Sequence, residues 1–262
     1  MSQHRVSIVG ALGKMGVEVR AAVSERDECV VAGALEAIGH PGLGTTIEND
    51  VSVSSDAKSA FAGCDVAIDF SVPKATLANL RAASELDIAY VTGTTGFTPA
   101  ELEEIAEIAK VIPVIHAPNF SVAVNVLAWA VREAAARLGD RYDAEIVELH
   151  HKAKRDAPSG TALLLAEAVA TGQNVNLHDN LVLERAGDTG VRPDRAIGVQ
   201  TLRGGDNTGE HTVMFVGKGE RLELIHRSST RAHFALGAVH AASWLVGKPA
   251  GLYPIEQVLD LE

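Results

Sequence analysis

The sequence predicts an α/β protein in two parts: a parallel-sheet domain, then a smaller α+β domain with a mixed sheet. Three observations carry this. From Arg5 to Ile115 short apolar runs alternate with helix-like stretches, the βαβα order of a parallel sheet. After the Ala/Val-rich stretch from Val122 to about Leu138 that order stops, and strand-like runs follow one another without crossover helices. With 262 residues, 47% of them hydrophobic, the chain is too long for a minimal domain and can bury a sizeable core.

Arg5–Val9 reads as a buried strand. Gly10-Ala-Leu-Gly13-Lys-Met-Gly16 follows at once, and Val17–Val23 reads as a helix. In such a run the first glycine permits a tight turn, the second lets backbone approach a pyrophosphate, and the third lets helix and strand pack closely. Cys29–Leu35 is the next strand and ends at Glu36, twenty residues past Gly16, where a Rossmann-type fold places its ribose-binding acid. The glycine run alone is a weak signal, compatible with a βαβ unit that binds nothing. Strand, glycine loop, helix, strand and terminal acid in succession make it a strong one.

A Gly/Pro-containing loop, Gly39 to Asp50, leads to a short strand at Val51–Val53 and a short helix at Ala57–Phe61. Val66–Phe70 is a buried strand, and the chain then turns into a helix that runs to about Glu85. Ile88–Val91 is another strand, followed by Thr92-Gly-Thr-Thr-Gly-Phe97, hydroxyls and flexible backbone where open α/β sheets bind ligands. Thr98 reads as the N-cap of a helix Pro99–Ala109, with Glu101 at its third position. Val111–Ile115 is the next strand. His116-Ala-Pro-Asn-Phe-Ser121 leaves it, and Asn119 reads equally as a ligand contact or as a turn asparagine.

The second part begins near Ser121. Tyr142–Leu149 alternates as a strand and ends at His150 and His151, which point to opposite sides if the strand still runs there. Lys152, Lys154, Arg155 and Asp156 follow, and then Ala-Pro-Ser-Gly-Thr opens a helix from Thr161 to about Ala170. A helix N-terminus suits an anion, an imidazole handles protons near neutral pH, and Lys154 adds a cation that can donate one. For any one of these residues a solvated loop with an ordinary cap at Ser159 suffices. For two imidazoles, three cations and a small-residue helix start together it does not. Leu181–Arg185, Ala196–Leu202, His211–Val216 and Arg221–His226 are strand candidates, with turns at Gly204–Asp206 and Gly217–Gly219. A last helix, Phe234–Val246, and a tail from Gly251 complete the chain. The expected domains are 1–121, completed by 232–262, and 122–231.

The net charge of −11 and the absence of a basic tail argue against nucleic acid as a partner. The short basic run near Lys152 fits a small acidic ligand. No apolar run is long enough to span a membrane and no secretory signal is visible, so a cytoplasmic protein is expected. Cys29 and Cys64 are the only cysteines and read as buried thiols. No metal is expected.

The run His150-His151, Lys154 and Asp156-Ala-Pro-Ser-Gly-Thr161 closely resembles the signature of the 4-hydroxy-tetrahydrodipicolinate reductase (dihydrodipicolinate reductase) family. Val9–Gly16, Ile68–Ser71, Gly93–Phe97, Pro118–Ser121, Gly209–His211 and Phe234–Ala238 resemble family segments in family order, so the likeness covers nearly the whole chain. It implies a Rossmann domain joined to an α+β domain whose sheet builds a homotetramer. It also implies NADH or NADPH as reductant and a small cyclic dicarboxylate as substrate, in lysine and diaminopimelate biosynthesis. By the same resemblance Gly10, Ala11, Leu12, Gly13, Lys14 and Met15 hold the pyrophosphate and Glu36 the ribose. Gly93, Thr94, Thr95, Ala117, Pro118, Asn119 and Phe120 contact the nicotinamide side. His150 is the catalytic proton donor and acceptor, with Lys154 as proton donor; His151, Lys154, Gly160 and Thr161 bind the substrate carboxylates. Some family members carry an arginine after the ribose-binding acid, where it meets a 2′-phosphate; here Ala37 stands, and Lys14 is the nearby cation. The competing readings are another two-domain NAD(P)-dependent amino-acid dehydrogenase, which leaves the His-His-Lys run unexplained, and a non-catalytic dinucleotide sensor, which has no use for it.

Overall fold

β1 (His4–Val9) turns sharply at Gly10 into α1 (Lys14–Ser24), and Gly10 makes that turn at a φ of 68°. We describe residues 3–261 of a computed structural model. A Cβ on Gly16 would stand 2.0 Å from the Gly10 carbonyl oxygen, so only glycine lets α1 leave β1 this tightly. The chain continues through β2 (Cys29–Leu35), β3 (Val53–Ser54), α2 (Ala57–Phe61), β4 (Val66–Asp69), α3 (Pro73–Glu85), β5 (Ala89–Thr92), α4 (Pro99–Ile108), β6 (Pro113–His116) and α5 (Val122–Leu138). Next come β7 (Asp143–His150), α6 (Gly160–Gln173), α7 (Leu177–Asn180), β8 (Leu181–Val182), β9 (Ile197–Arg203), β10 (Gly209–Val216) and β11 (Arg221–Ser228). α8 (Ala232–Leu245), β12 (Gly251–Tyr253) and α9 (Ile255–Val258) close the described chain.

The chain divides into two compact units, one made of residues up to Val122 and from Arg231 onward, the other of Ala123–Thr230. In the first, seven parallel strands run in the order β12-β6-β5-β4-β1-β2-β3. Successive strand residues feed two separate cores. Val66, Ile68, Val91 and Ile115 pack with α1, α8 and α9 on one face; Ala67, Tyr90 and Val114 pack with α2, α3 and α4 on the other. Burial on both faces explains why these strands read as continuous apolar runs. Cys29 and Cys64 are free and buried in these layers. The capping box is present: Thr98 Oγ1 accepts from Glu101 N, and Glu101 Oε2 accepts from Thr98 N at 2.7 Å.

The second unit has a mixed sheet ordered β11-β10-β7-β9-β8. β10 is antiparallel to β7 and β11, whereas β9 is parallel to β7 and β8. α5 and α6 cover one face, burying Leu127, Val131, Leu165 and Val169 against Ile146, Val199, Val213 and Phe215. Gly172 lets the two helices meet, since a Cβ there would lie 2.4 Å from the Arg132 carbonyl oxygen. The opposite face carries Glu145, Val147, Leu149, Thr212 and Met214, with Leu202, Val216 and Ile225 exposed.

Several elements differ from the sequence expectation. The tail contributes a strand, β12, that extends the parallel sheet beside β6. The strand expected over Leu181–Arg185 stops after Val182, because Arg185 turns away to pair with Glu145 through both terminal nitrogens. α6 starts at Gly160 and runs three residues past Ala170, to Gln173, where Asn174 caps it in a left-handed conformation.

Candidate active site

The first unit gathers the expected cofactor residues at the C-terminal edge of its sheet, where ligands bind in open α/β folds. Gly10 N and Ala11 N both donate to the Leu35 carbonyl, at 2.8 and 3.2 Å. Leu12 N donates to Glu36 Oε1 at 2.7 Å, so the acid at the end of β2 is fixed against the glycine loop. Lys14 is exposed at the head of α1, and Met15 and Leu12 are partly buried. Further along the edge, Gly93 N donates to the Asp69 carbonyl at 2.9 Å and Ala117 N to the Thr92 carbonyl at 3.1 Å, which sets the loops after β4, β5 and β6 side by side.

Those loops are held by their own side chains. Buried Asp69 accepts from Tyr90 Oη and from Ser71 N, at 2.6 and 2.7 Å. Burial, then the Asp69 charge, pushes the Tyr90 phenol well above its ordinary range. Thr94 accepts a 2.8 Å bond from Thr76 Oγ1, and its carbonyl lies 3.1 Å from His116 Nε2. Asn119 Oδ1 accepts from Ser121 N at 2.8 Å, an Asx turn. Ala11, Ala117 and Phe120 are buried, whereas Thr95 and Pro118 are exposed. A Cβ on Gly93 would stand 2.1 Å from the Phe70 ring, and one on Gly237 of α8 would stand 1.7 Å from the Phe120 carbonyl oxygen. Close backbone, a positive-φ turn and a terminal acid together fit a dinucleotide.

In the second unit β7 ends at His150, and strand alternation puts Glu148 and His150 on the same, helix-covered face. Glu148 is fully buried. His150 Nδ1 pairs with Glu148 Oε2. The same carboxylate accepts from Arg203 Nη1 and Nη2 at 2.8 and 3.1 Å, from Ser159 N at 3.0 Å and from Thr201 Oγ1 at 3.2 Å. Burial pushes the Glu148 carboxyl up, but the bonds from Arg203, His150 and Ser159 outweigh it and hold the group below the usual carboxylate range. Burial lowers the His150 imidazole, against the opposing pull of Glu148. A Cβ on Gly209 would lie 2.9 Å from His150 Nε2, so glycine keeps that nitrogen clear.

His211 packs edge-on to His150, with ring centroids 5.2 Å apart, and its Nε2 lies 3.1 Å from Ser159 Oγ. Burial brings its pKa to about 4. Ser159 caps α6 by accepting from Ala162 N at 3.1 Å, so Gly160 and Thr161 begin the helix next to the Glu148 cluster. Lys154 Nζ is ion-paired with Asp156 Oδ2 at 2.7 Å; Asp156 is exposed, so an incoming carboxylate can take its place. His151 is half-buried, past the end of β7, and its N donates to the Asn207 carbonyl at 2.8 Å.

Glu148, Thr201, Arg203 and His211 were not singled out from the sequence. Glu148 could have been: a carboxylate two residues before a histidine on a strand shares its face. The other three arrive through strand pairing: Glu148 lies opposite Thr201 on β9 and His211 on β10, and His150 opposite Arg203. Among the described residues no group of His, Cys, Asp or Glu could hold a metal ion, and no helix is long and apolar enough to cross a membrane.

Residues 4–120 match the family model for the N-terminus of dihydrodipicolinate reductase, and residues 123–259 match that for its C-terminus. A 4-hydroxy-tetrahydrodipicolinate reductase of Anaeromyxobacter sp. (strain Fw109-5) is 49% identical over 98% of this chain and 97% of its own. The one from Geotalea uraniireducens (strain Rf4) is 45% identical over 98% and 99%. A dipicolinate-bound dihydrodipicolinate reductase from Paenisporosarcina sp. TG-14 shares the fold, with a TM-score of 0.79 at 24% identity, covering 96% of this chain and 97% of that one. With both halves matched in order and relatives of this identity over nearly its full length, the chain belongs to the dihydrodipicolinate reductase family.

Proposed function

We infer that this protein reduces 4-hydroxy-tetrahydrodipicolinate with NADH or NADPH, giving tetrahydrodipicolinate and water, in the cytoplasmic route to diaminopimelate and lysine. The observation that carries the reading is the grouping of His150, Lys154 and the head of α6 within one unit, in a chain akin to reductases of that name.

The substrate has two carboxylates and a ring imine. Lys154, His151 and the α6 start at Gly160 and Thr161 hold the carboxylates, by charge and by the positive end of the helix dipole. Loss of the C4 hydroxyl as water removes a proton from the neighbouring ring carbon and delivers one to the leaving oxygen. His150 Nε2 takes the first, since burial favours its neutral form; the Lys154 ammonium supplies the second. The glycine loop and the Gly93–Thr95 and Ala117–Phe120 segments would hold a reduced dinucleotide, which would supply the hydride that C4 accepts. His150 then returns its proton to the ring. Residues 1–121 with 232–262 serve as the dinucleotide domain, and 122–231 as the substrate and assembly domain.

Two further assignments complete the reading. Glu36 accepts from ribose hydroxyls and Ala37 offers no cation for a 2′-phosphate, so NADH is used at least as well as NADPH. The open sheet face bearing Leu202, Val216 and Ile225 builds a homotetramer. Initial rates with both dinucleotides on enzymatically generated substrate test the activity. No dinucleotide oxidation with either one would sink it.

A further inference from the structure

A single buried carboxylate touches both the proton-handling group and the carboxylate-binding helix start. We propose that Glu148 is the positioning residue of this site: it fixes the His150 ring with the proton on Nδ1 and Nε2 turned to the substrate, and through Ser159 N it anchors the head of α6. The proposal rests on His150 being the proton-transfer group.

The argument is one of donors and acceptors. Glu148 is surrounded by donors: two guanidinium nitrogens of Arg203, the Ser159 N–H and the Thr201 hydroxyl. The Arg203 guanidinium can only donate and bonds both carboxylate oxygens, and the Ser159 N–H adds a further donor to one of them; these hold the carboxyl below its usual range, so Glu148 is an anion. An anion can only accept, and therefore Nδ1 must carry hydrogen when it bonds to Glu148. The neutral ring then has its lone pair on Nε2, the nitrogen that Gly209 leaves clear. Arg203 also matters to the chemistry. It offsets the Glu148 charge, so the carboxylate orients the imidazole without locking it as an imidazolium. Three ligand-facing pieces drawn from β7, β9 and the α6 cap thus share one anchor. Ser159 N donates to Glu148 while Ser159 Oγ caps the helix, so a shift of the carboxylate moves the His150 ring and the α6 head together.

Nuclear magnetic resonance of the ¹⁵N-histidine-labelled full chain, with His150 assigned by its loss in His150→Gln, reads the tautomer directly. A neutral His150 protonated at Nδ1 is expected; protonation at Nε2 overturns the proposal. Kinetics give the second test. Glu148→Gln should lower kcat on the order of a hundredfold, the scale at which a reacting group is misplaced, with dinucleotide affinity unchanged. It should also move the acidic limb of the kcat/KM–pH profile to lower pH, because the carboxylate that favours the imidazolium is gone. Lys154 from the loop, Arg203 from β9 and His211 from β10 also face His150 and remain in that variant. Glu148→Asp, which keeps the charge, should recover part of the rate and most of the limb. Because Glu148→Gln strands the Arg203 guanidinium, Glu148→Gln/Arg203→Gln removes both charges and guards against a folding defect; the same loss is expected, with a smaller limb shift in the same direction because Arg203 no longer opposes the imidazolium. A folded variant of either kind with normal kcat and an unmoved limb defeats the proposal. If His150→Gln is itself fully active, the assignment of His150 fails instead, which separates the two.

Discussion

Gly209 and His150 meet so closely that a Cβ on residue 209 would lie 2.9 Å from Nε2. The imidazole cannot yield freely, because Glu148 holds its other nitrogen. Gly209→Ala should therefore tilt the ring off its clamp. We expect kcat to fall on the order of ten- to a hundredfold, with the chain folded and dinucleotide affinity by calorimetry unchanged. An unaffected kcat would show that the space in front of Nε2 is not used.

His150→Ala and Lys154→Ala should each lower kcat by roughly a hundredfold or more. Lys154→Ala should also raise the KM for substrate, since it removes a carboxylate contact. Groups acting on one transition state are not additive, so the double variant should be scarcely worse than the poorer single one. Multiplicative losses in the double variant would assign the two residues to separate steps.

Pyridine-2,6-dicarboxylate should inhibit competitively against substrate. Pyridine-2-carboxylate should bind about tenfold more weakly or worse, because it forfeits one set of charge-assisted bonds. Equal inhibition by the two compounds would contradict the two-carboxylate site.

Lys14→Ala should harm NADPH use selectively, and Ala37→Arg should improve it, each by a few- to about tenfold in KM, the range of one partly exposed ion pair. The check is the ratio of kcat/KM for the two dinucleotides. A strong NADPH preference that survives Lys14→Ala would need a cation other than Lys14.

Acid should loosen the fold before the carboxylates titrate. Burial lowers His116, His150, His211 and His226 alike, and brings His211 from 6.5 to about 4. Between those values the unfolded chain binds a proton at residue 211 that the native chain does not, so stability falls as pH falls. The His211 share corresponds to roughly 3 kcal/mol across the window. Urea unfolding between pH 7 and 5 should show the decline, and His211→Asn should flatten it.

Much of the fold was legible in the sequence because its parallel strands are buried on both faces and its turns carry glycine where nothing else fits. The glycine loop, Glu36 and the Thr98–Glu101 box needed only local pattern. β12 carries no legible periodicity because it is only three residues long and one of them is Gly251, and it exists only by pairing with β6. In the site, His150, Lys154 and the α6 start could be read from one continuous stretch. Arg203 could not: it lies 55 residues from Glu148, and only the parallel β7–β9 register brings them together.

That register has a bearing on how the molecule is made. The β7–β9 pairing closes a long loop of chain, a late and slow event in folding compared with forming a helix or a hairpin. A slip of one residue would turn Leu202 toward Glu148 and send Arg203 to the opposite face, leaving a carboxylate in the interior without its cation. Mispaired chains are therefore penalised at the same point that makes them inert. In newly synthesised protein, the onset of turnover should coincide with completion of this one strand pairing, so catalysis itself serves as the reporter of a correctly finished chain.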